Sequence, residues 1–236
     1  MRALSNVDFL SLWEAGHRLH SLDRGVLAVR ALLAEPGEES VADWPLGRRN
    51  EVLAQFHNQY FGAALQGWTE CERCGEKLEF TVDCRSLIER QQGRSEQPVI
   101  VGDSVFRVPT SRDLARVAGE PDASSAAMRL AELCRIDGTS DGEASWSRKE
   151  MEELSEKMSE ADPLAEIMLS FACPACEAMR EQTLDLPEFL WAELEAFVKR
   201  ILNEIHILAS CYGWSEAEIL ALSEGRRAIY VQMVQS

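Results

Sequence analysis

The sequence lacks a long hydrophobic run and has few basic residues. No segment approaches the ~18 uninterrupted apolar residues of a membrane-spanning helix, and Asp8, Glu14 and His17 interrupt the start of the chain. We therefore expect neither a membrane span nor a secretory signal. With 24 basic against 40 acidic residues the formal net charge is -16, so we expect neither a broad nucleic-acid surface nor binding to anionic membranes.

The common catalytic motifs are also missing. The chain contains no H-E-x-x-H pair, glycine-rich phosphate loop, G-x-S-x-G elbow or H-x-E deaminase motif, and its four histidines lie outside such contexts. A catalytic site needs a base or an open metal position. The sequence therefore predicts a protein that is not an enzyme, with a thiol- or zinc-dependent enzyme as a minority alternative.

Hydrophobic spacing divides the chain into helical and β segments. Apolar residues at steps of three or four predict helices over residues 4–34, in two pieces that meet near Ser21, and over 48–65, 111–118, 124–136, 147–159, 187–213, 215–222 and 223–234. The alternation of Leu78, Phe80 and Val82 with polar residues predicts a half-buried strand. Further strand patterns occur at 99–101, 105–108, 167–172 and 181–186.

Two C-x-x-C turns stand out among the seven cysteines. Cys71-Glu-Arg-Cys74 and Cys173-Pro-Ala-Cys176 have the spacing that lets thiolates converge on one tetrahedral zinc ion, with Zn–S bonds of about 2.3 Å. Four thiolates leave no open position, so the predicted zinc is structural. Redox or disulfide pairs and unmetallated thiols are the alternatives. Cysteines without an export signal also indicate a reducing compartment, and we expect a cytoplasmic protein.

The remaining cysteines and the turn residues give two further expectations. Cys84, Cys134 and Cys211 have apolar neighbours and are predicted to be buried small hydrophobes, with Cys84 as a reserve ligand. Gly75 can adopt the positive φ that tightens the first turn, whereas Glu177 occupies the matching place in the second. The second turn is therefore predicted to be less regular.

Both cysteine turns lie beside predicted strands, although far more residues separate them than the roughly 15 to 20 of common zinc motifs. The predicted fold class is α+β, mainly helical, with a small zinc-ribbon-like antiparallel β-module in the middle. The predicted organisation is an N-terminal helical region 1–66, a β-module made of 67–110 plus 163–186, a helical insertion 111–162, and a C-terminal helical region 187–236. Within the insertion, the polar, glycine-rich linker 137–144 is expected to be mobile.

Several short stretches carry a family resemblance. Besides the two cysteine turns they are Leu12-Trp13-Glu14, Trp44-Pro45-Leu46-Gly47-Arg48-Arg49-Asn50, Pro109-Thr110-Ser111-Arg112-Asp113-Leu114, Trp191-Ala192-Glu193-Leu194, Tyr212-Gly213-Trp214-Ser215-Glu216, Ile219-Leu220-Ala221-Leu222 and Arg226-Arg227-x-x-Tyr230. This set, and above all its C-terminal part, resembles the baseplate hub assembly chaperones of contractile-tailed phages and related contractile injection systems. The resemblance implies a role in building the baseplate hub, with hub, spike or tape-measure proteins as partners. An adaptor that stays in the finished baseplate is the alternative.

The C-terminal stretch offers a candidate partner-binding surface. Tyr212, Trp214 and Tyr230 are amphipathic aromatics, and Arg226 and Arg227 add forked donors, which are the residue types that anchor protein interfaces. The same residues are also suited to packing the last helices against the core. The sequence leaves both readings open.

Overall fold

A computed structural model describes residues 2–33, 39–92, 97–136 and 146–235. Within these ranges the helices are α1 (Asn6–Gly16), α2 (Ser21–Leu32), α3 (Leu46–Tyr60), α4 (Cys84–Gln91), α5 (Ser111–Val117), α6 (Ala123–Cys134), α7 (Arg148–Ala161), α8 (Leu186–Tyr212), α9 (Glu216–Leu220) and α10 (Glu224–Gln235). The strands are β1 (Ala64–Glu70), β2 (Lys77–Asp83), β3 (Val99–Val101), β4 (Ser104–Phe106), β5 (Met168–Ala172) and β6 (Met179–Thr183). The mainly helical α+β class is confirmed. The linker predicted at 137–144 lies outside the described residues.

The main core lies between α1, α2, α3 and α8. Leu53 and Phe56 of α3 are fully buried and pack in the same cluster as Leu194, Val198 and Ile201 of α8. Their spacings along each helix place them on one face, which is the amphipathic stripe predicted from the sequence. Burying each such side chain stabilises the fold by about 1.5–3 kcal/mol, so this core does not depend on the cysteine turns.

Helix α8 has the termini that its sequence predicts. The Asp185 side chain accepts a hydrogen bond from the Glu188 amide at 3.0 Å, and Pro187 occupies the first turn. At the other end Gly213 adopts the left-handed conformation, with φ 69°, which closes the helix. Although α8 has 27 residues, none of the helices in the described ranges is both long and apolar enough to cross a membrane.

The six described strands form three separate two-stranded antiparallel sheets. In β1–β2, Ala64 lies opposite Asp83, and in β5–β6, Met168 lies opposite Thr183. The sequence predicts that the β3–β4 hairpin is part of the β-module, but Phe106 and its buried neighbours pack in a second apolar cluster with residues of α6 and α7. The cysteine turns are therefore carried by β1–β2 and β5–β6, and the hairpin belongs with the inserted helices.

The segment between α3 and β2 differs from its prediction. The helix predicted over 48–65 ends at Tyr60, and residues 64–70 form a strand that pairs with β2. Gly62, with φ 102°, turns the chain, and Leu65 is fully buried on the strand instead of on a last helical turn. A single buried leucine fits both the helical and the strand period, so the apolar spacing did not distinguish a last helical turn from a strand at this position. Helix α4, with eight residues, was not predicted.

The helical insertion leaves the main body beside the start of α3. The Leu46 amide donates a hydrogen bond to the Pro109 carbonyl at 3.1 Å, and Pro45 and Thr110 form an isolated β-bridge. The buried Arg49 side chain donates to the Ser111 hydroxyl at 2.8 Å. The exit is therefore fixed by side chains and backbone together.

The insertion returns to the same place. The Gly47 amide donates to the Asp162 carboxylate at 2.9 Å, and the Asn50 side chain donates to the Leu164 carbonyl at 2.7 Å. Gln91 of α4 also donates to Asp162, at 2.8 Å. Burial raises the pKa of Asp162, and the hydrogen bonds from Gly47 and Gln91 partly offset this rise. The two ends of the insertion are thus held at one point. This keeps the β1–β2 and β5–β6 sheets, which we call the two ribbons, close together.

Candidate metal centre

The two cysteine turns meet at the tips of β1–β2 and β5–β6. The sulfur atoms of Cys71, Cys74, Cys173 and Cys176 all lie within 4.8 Å of one another. Across the two turns, the Cys71 and Cys176 sulfurs are 3.7 Å apart and the Cys74 and Cys173 sulfurs are 3.6 Å apart. The four predicted ligands are therefore in one place and can hold one metal ion.

These distances match a metal site better than disulfide bonds. A tetrahedral ion with Zn–S bonds of about 2.3 Å places its sulfur ligands about 3.8 Å apart, close to both cross-turn distances. A disulfide needs an S–S distance of about 2.05 Å, and all seven cysteines of the chain are free. Four thiolates around one ion would complete a tetrahedral coordination sphere and leave no position for a further ligand.

The two turns have the same backbone conformation. In the first, the Cys71 amide donates to the Glu76 carbonyl at 2.8 Å and the Gly75 amide donates to the Cys71 carbonyl at 2.7 Å. In the second, the Cys173 amide donates to the Ala178 carbonyl at 3.0 Å and the Glu177 amide donates to the Cys173 carbonyl at 2.9 Å.

The second turn was predicted to be less regular because of Glu177. Gly75 has φ 74° and Glu177 has φ 57°, so both residues are left-handed and the second turn repeats the first. The left-handed region costs a residue with a side chain roughly 1–2 kcal/mol. The closing hydrogen bond and convergence of the thiols hold Glu177 in this conformation.

Backbone amides already favour one thiolate in the cluster. The amides of Arg73 and Cys74 lower the pKa of Cys71 to about 6. The Glu76 amide lowers the pKa of Cys74, but the neighbouring thiols, with Cys176 first, outweigh it and raise that pKa to about 12. Since the thiolate is the ligand form, binding of a metal ion would release the proton of any thiol that coordinates it.

The module around the cysteines has little apolar core of its own. Its buried residues are Leu78, Cys71 and Cys173, with Phe171 partly buried beside them. The rings of Phe171 and Phe80 are 5.7 Å apart, and Arg180 of one ribbon forms an ion pair with Glu72 of the other. The ribbons do not share backbone hydrogen bonds, so a metal ion would be the main connection between their tips.

The three other cysteines do not join this cluster. Cys84 is fully buried, and its sulfur lies 3.4 Å from Nδ1 of His57, so it is not a fifth ligand. Burial raises the pKa of Cys84 to about 11 and that of Cys134, also fully buried, to about 12. The prediction that Cys211 is buried was wrong, because it lies on the solvent side of α8.

The aromatic residues of the C-terminal stretch form one cluster. The Tyr212 ring stacks on Trp214 with centroids 4.7 Å apart, and Tyr230 of α10 meets Trp214 edge-on at 5.1 Å. Trp214 and Tyr230 are partly buried against the main core, whereas Tyr212 is 41% exposed. The cluster therefore docks the last helices and also presents one aromatic face to solvent.

The two arginines of this stretch have different roles. Arg227 is 2% exposed, and it donates to the Glu204 carboxylate at 2.9 Å and to the Leu222 carbonyl at 2.8 Å. With the Asn6 amide turned to present its oxygen, Arg227 also donates to Asn6 at 2.9–3.0 Å. Its assignment as a partner-binding residue needs correction, because all of these contacts lie within the chain. Arg226 is exposed and remains a candidate.

The stretches that carry the family resemblance include residues whose role the sequence did not reveal. Trp44 to Asn50 and Pro109 to Leu114 lie against each other where the insertion leaves the main body. Arg49 is buried there, and burial lowers its pKa to about 10. The sequence does not indicate that Arg49 is buried, because arginine side chains are mostly exposed in proteins.

Comparisons with known proteins add no family assignment. No protein-family model matches the chain, and neither a curated protein nor a solved structure matches it. What the chain itself establishes is a mainly helical fold with a four-cysteine site suited to one metal ion.

Proposed function

We propose that the chain binds one structural zinc ion and acts as a non-enzymatic assembly chaperone for the baseplate hub of a phage-like contractile tail or injection system. The observation that carries this proposal is the convergence of four cysteine sulfurs within 4.8 Å. A complete thiolate sphere holds parts of a protein together and offers no position for water or substrate. This arrangement favours a binding protein over an enzyme.

Zinc is the metal that best suits the site. Tetrahedral sites with four sulfur ligands select zinc or iron, and zinc adds no redox chemistry to a site that only joins two ribbons. Metal analysis of the purified protein distinguishes the two ions. We expect about one zinc per chain, and one iron per chain would contradict the assignment.

The assembly role is supported by the resemblance and by the surface. The stretch from Tyr212 to Tyr230 carries most of the likeness to the chaperone family, and part of it is exposed at Tyr212 and Arg226. The acidic net charge of -16 suits a soluble helper with protein partners more than one with nucleic-acid partners. On this proposal the protein acts in the cytoplasm, where such tails are assembled.

The test is a pull-down of the full, tagged chain from cells that produce the tail, followed by mass spectrometry. We expect enrichment of hub, spike or tape-measure proteins, and weaker enrichment with Tyr212→Ala and Arg226→Ala combined. Both residues are exposed, so we expect only a small loss of stability from this variant, and Arg18→Ala is a control at another exposed arginine. Absence of every tail protein from the pull-down would refute the proposal.

A second measurement separates a chaperone from an adaptor that stays in the particle. A chaperone is absent from purified finished particles, whereas an adaptor is present in a fixed ratio to the hub. A stoichiometric band of this chain in such particles would therefore replace the chaperone by the adaptor.

A further inference from the structure

An apolar groove of about 690 Å³ lies on the helical insertion, away from the cysteine cluster. Its walls come from α5, α6 and α7 and from Glu166 and Thr183 at the base of the β5–β6 ribbon, and its floor reaches Leu46 and Pro109. Neither the metal site nor the C-terminal aromatic cluster contributes to it. It is therefore a separate feature of the molecule.

The groove is lined by two helical stripes that face a common gap. The lining residues of the two helices follow helical spacing, with Ala127, Leu130 and Ala131 on α6 and Met151, Leu154 and Met158 on α7. Leu130, Met151 and Met158 are only half-buried, so each keeps apolar surface to offer. Methionine side chains adapt to different partners, and two helical walls with a gap between them suit a third helix.

The parts of the chain outside the described residues do not supply that helix. The internal segments 34–38, 93–96 and 137–145 read AEPGE, GRSE and DGTSDGEAS. None contains a leucine, isoleucine, valine, methionine or aromatic residue, so none can fill a groove of this size with apolar side chains. None of these internal segments is therefore the occupant of the groove.

Charge around the groove indicates the kind of occupant. Glu152 and Glu166 line the groove with Arg148, and Arg148 is already paired with Glu152 at 2.8 Å. Helix α7 carries five glutamates against three basic residues, and the chain has a net charge of -16. A second copy of this chain would bring the same negative charge, whereas a basic segment would be attracted.

We propose that this groove binds an amphipathic helix of a partner protein, with one apolar face and lysine or arginine on its flanks. This role is independent of the assembly that the chain serves, because it depends only on the shape and charge of the insertion.

The probe is a fluorescent 18-residue helical peptide of leucine and lysine, with leucines on one face, mixed with the full chain. A second peptide keeps the leucine face and has glutamate in place of lysine, and a third has the leucine–lysine composition in scrambled order. Fluorescence anisotropy gives the dissociation constants. We expect binding of the lysine-flanked helix, and binding at least about tenfold weaker for both other peptides.

Three variants test the location. Ala127→Trp fills the groove from an exposed position without removing a native contact, and it should weaken peptide binding about tenfold or more. Met151→Gln with Met158→Gln should do the same by making the wall polar. Met128→Gln is the matched control, because Met128 lies on α6, is 41% exposed and does not line the groove.

Each result decides for or against the proposal. Loss of binding in Ala127→Trp but not in Met128→Gln supports it. Unchanged binding in Ala127→Trp overturns the location, and equal binding of lysine- and glutamate-flanked peptides overturns the basic partner. A dimer in sedimentation equilibrium that Ala127→Trp dissociates would assign the groove to a second copy, and binding of octanoate with no peptide binding would assign it to a small apolar ligand. Either outcome overturns the proposal.

Discussion

Loss of one cysteine ligand should open the two ribbons while leaving the helical core folded. We consider Cys173→Ser, with Cys211→Ser as the control at an exposed cysteine outside the site. Structural zinc contributes about 10–16 kcal/mol in small zinc domains, and an equal share for one of four ligands is about 3 kcal/mol. In the small apolar cluster around the cysteines, Leu78 is the one large side chain among the buried residues, and it contributes only about 1.5–3 kcal/mol. The remaining contacts cannot compensate for the lost ligand.

The equilibrium constant for opening of the ribbons should therefore increase by more than about a hundredfold. Hydrogen-exchange mass spectrometry reports this separately for peptides covering 64–83 and 168–183, and for peptides of the helical core within 46–60 and 186–212. We expect faster exchange in the first two regions only, together with loss of bound zinc. Normal metal content in Cys173→Ser, or equal loss of protection in α8, would refute the reasoning.

Three other changes test contacts outside the metal site by urea unfolding. Arg227→Ala should destabilise the protein by about 3 kcal/mol, because it removes a buried guanidinium and leaves the partly buried Glu204 carboxylate without its partner. Arg226→Ala should change stability by less than about 0.5 kcal/mol, and equal effects of the two changes would contradict the roles assigned to the arginines. Gly47→Ala should cost about 1–3 kcal/mol, since its Cβ would lie 1.7 Å from an oxygen of Asp162, and an unchanged midpoint would show that the carboxylate moves freely. Asp113→Asn should cost about 2 kcal/mol at pH 7, because burial raises the pKa of Asp113 but its ion pair and hydrogen bonds lower that pKa by more. The stabilisation by the Asp113 carboxylate is present above the unfolded pKa of about 3.9 and is lost as the pH falls through the lower folded pKa. A stability difference between Asp113→Asn and the wild type that persisted at lower pH would contradict this reasoning.

Long periodic segments and cap residues were predictable from the sequence. Helix α8 has nine buried residues, most of them at helical spacing, and a glycine at its end, and Ser147 and Ser215 form capping boxes that the sequence shows as Ser-x-x-Glu. The four cysteines that can hold a metal ion were also predictable, because C-x-x-C spacing is a local pattern that survives a long separation. In each case the sequence signal and the structural cause lie within a few residues.

Features that depend on distant contacts were not predictable. The burial of Arg227 follows from Glu204 and Asn6, which come from two other helices, and the exposure of Cys211 follows from where α8 leaves the core. Strand β1 was missed because Leu65 is buried by pairing that no local pattern specifies. The groove on the insertion could not be predicted either, since it is a gap between helices.

The separation of the two cysteine turns affects how the site is made during translation. Cys173 lies 99 residues after Cys74, so at about 5–20 residues per second the ribosome needs roughly 5 to 20 seconds to supply the second pair of sulfurs. Throughout that interval Cys71 and Cys74 form half a site that is open to oxidation or to capture of a metal by two thiolates. The four-cysteine site can be completed only after the inserted helices have folded and brought the second turn back to the first. Binding of a metal ion by all four cysteines would therefore indicate that the segment between Cys74 and Cys173 has been synthesised and has folded.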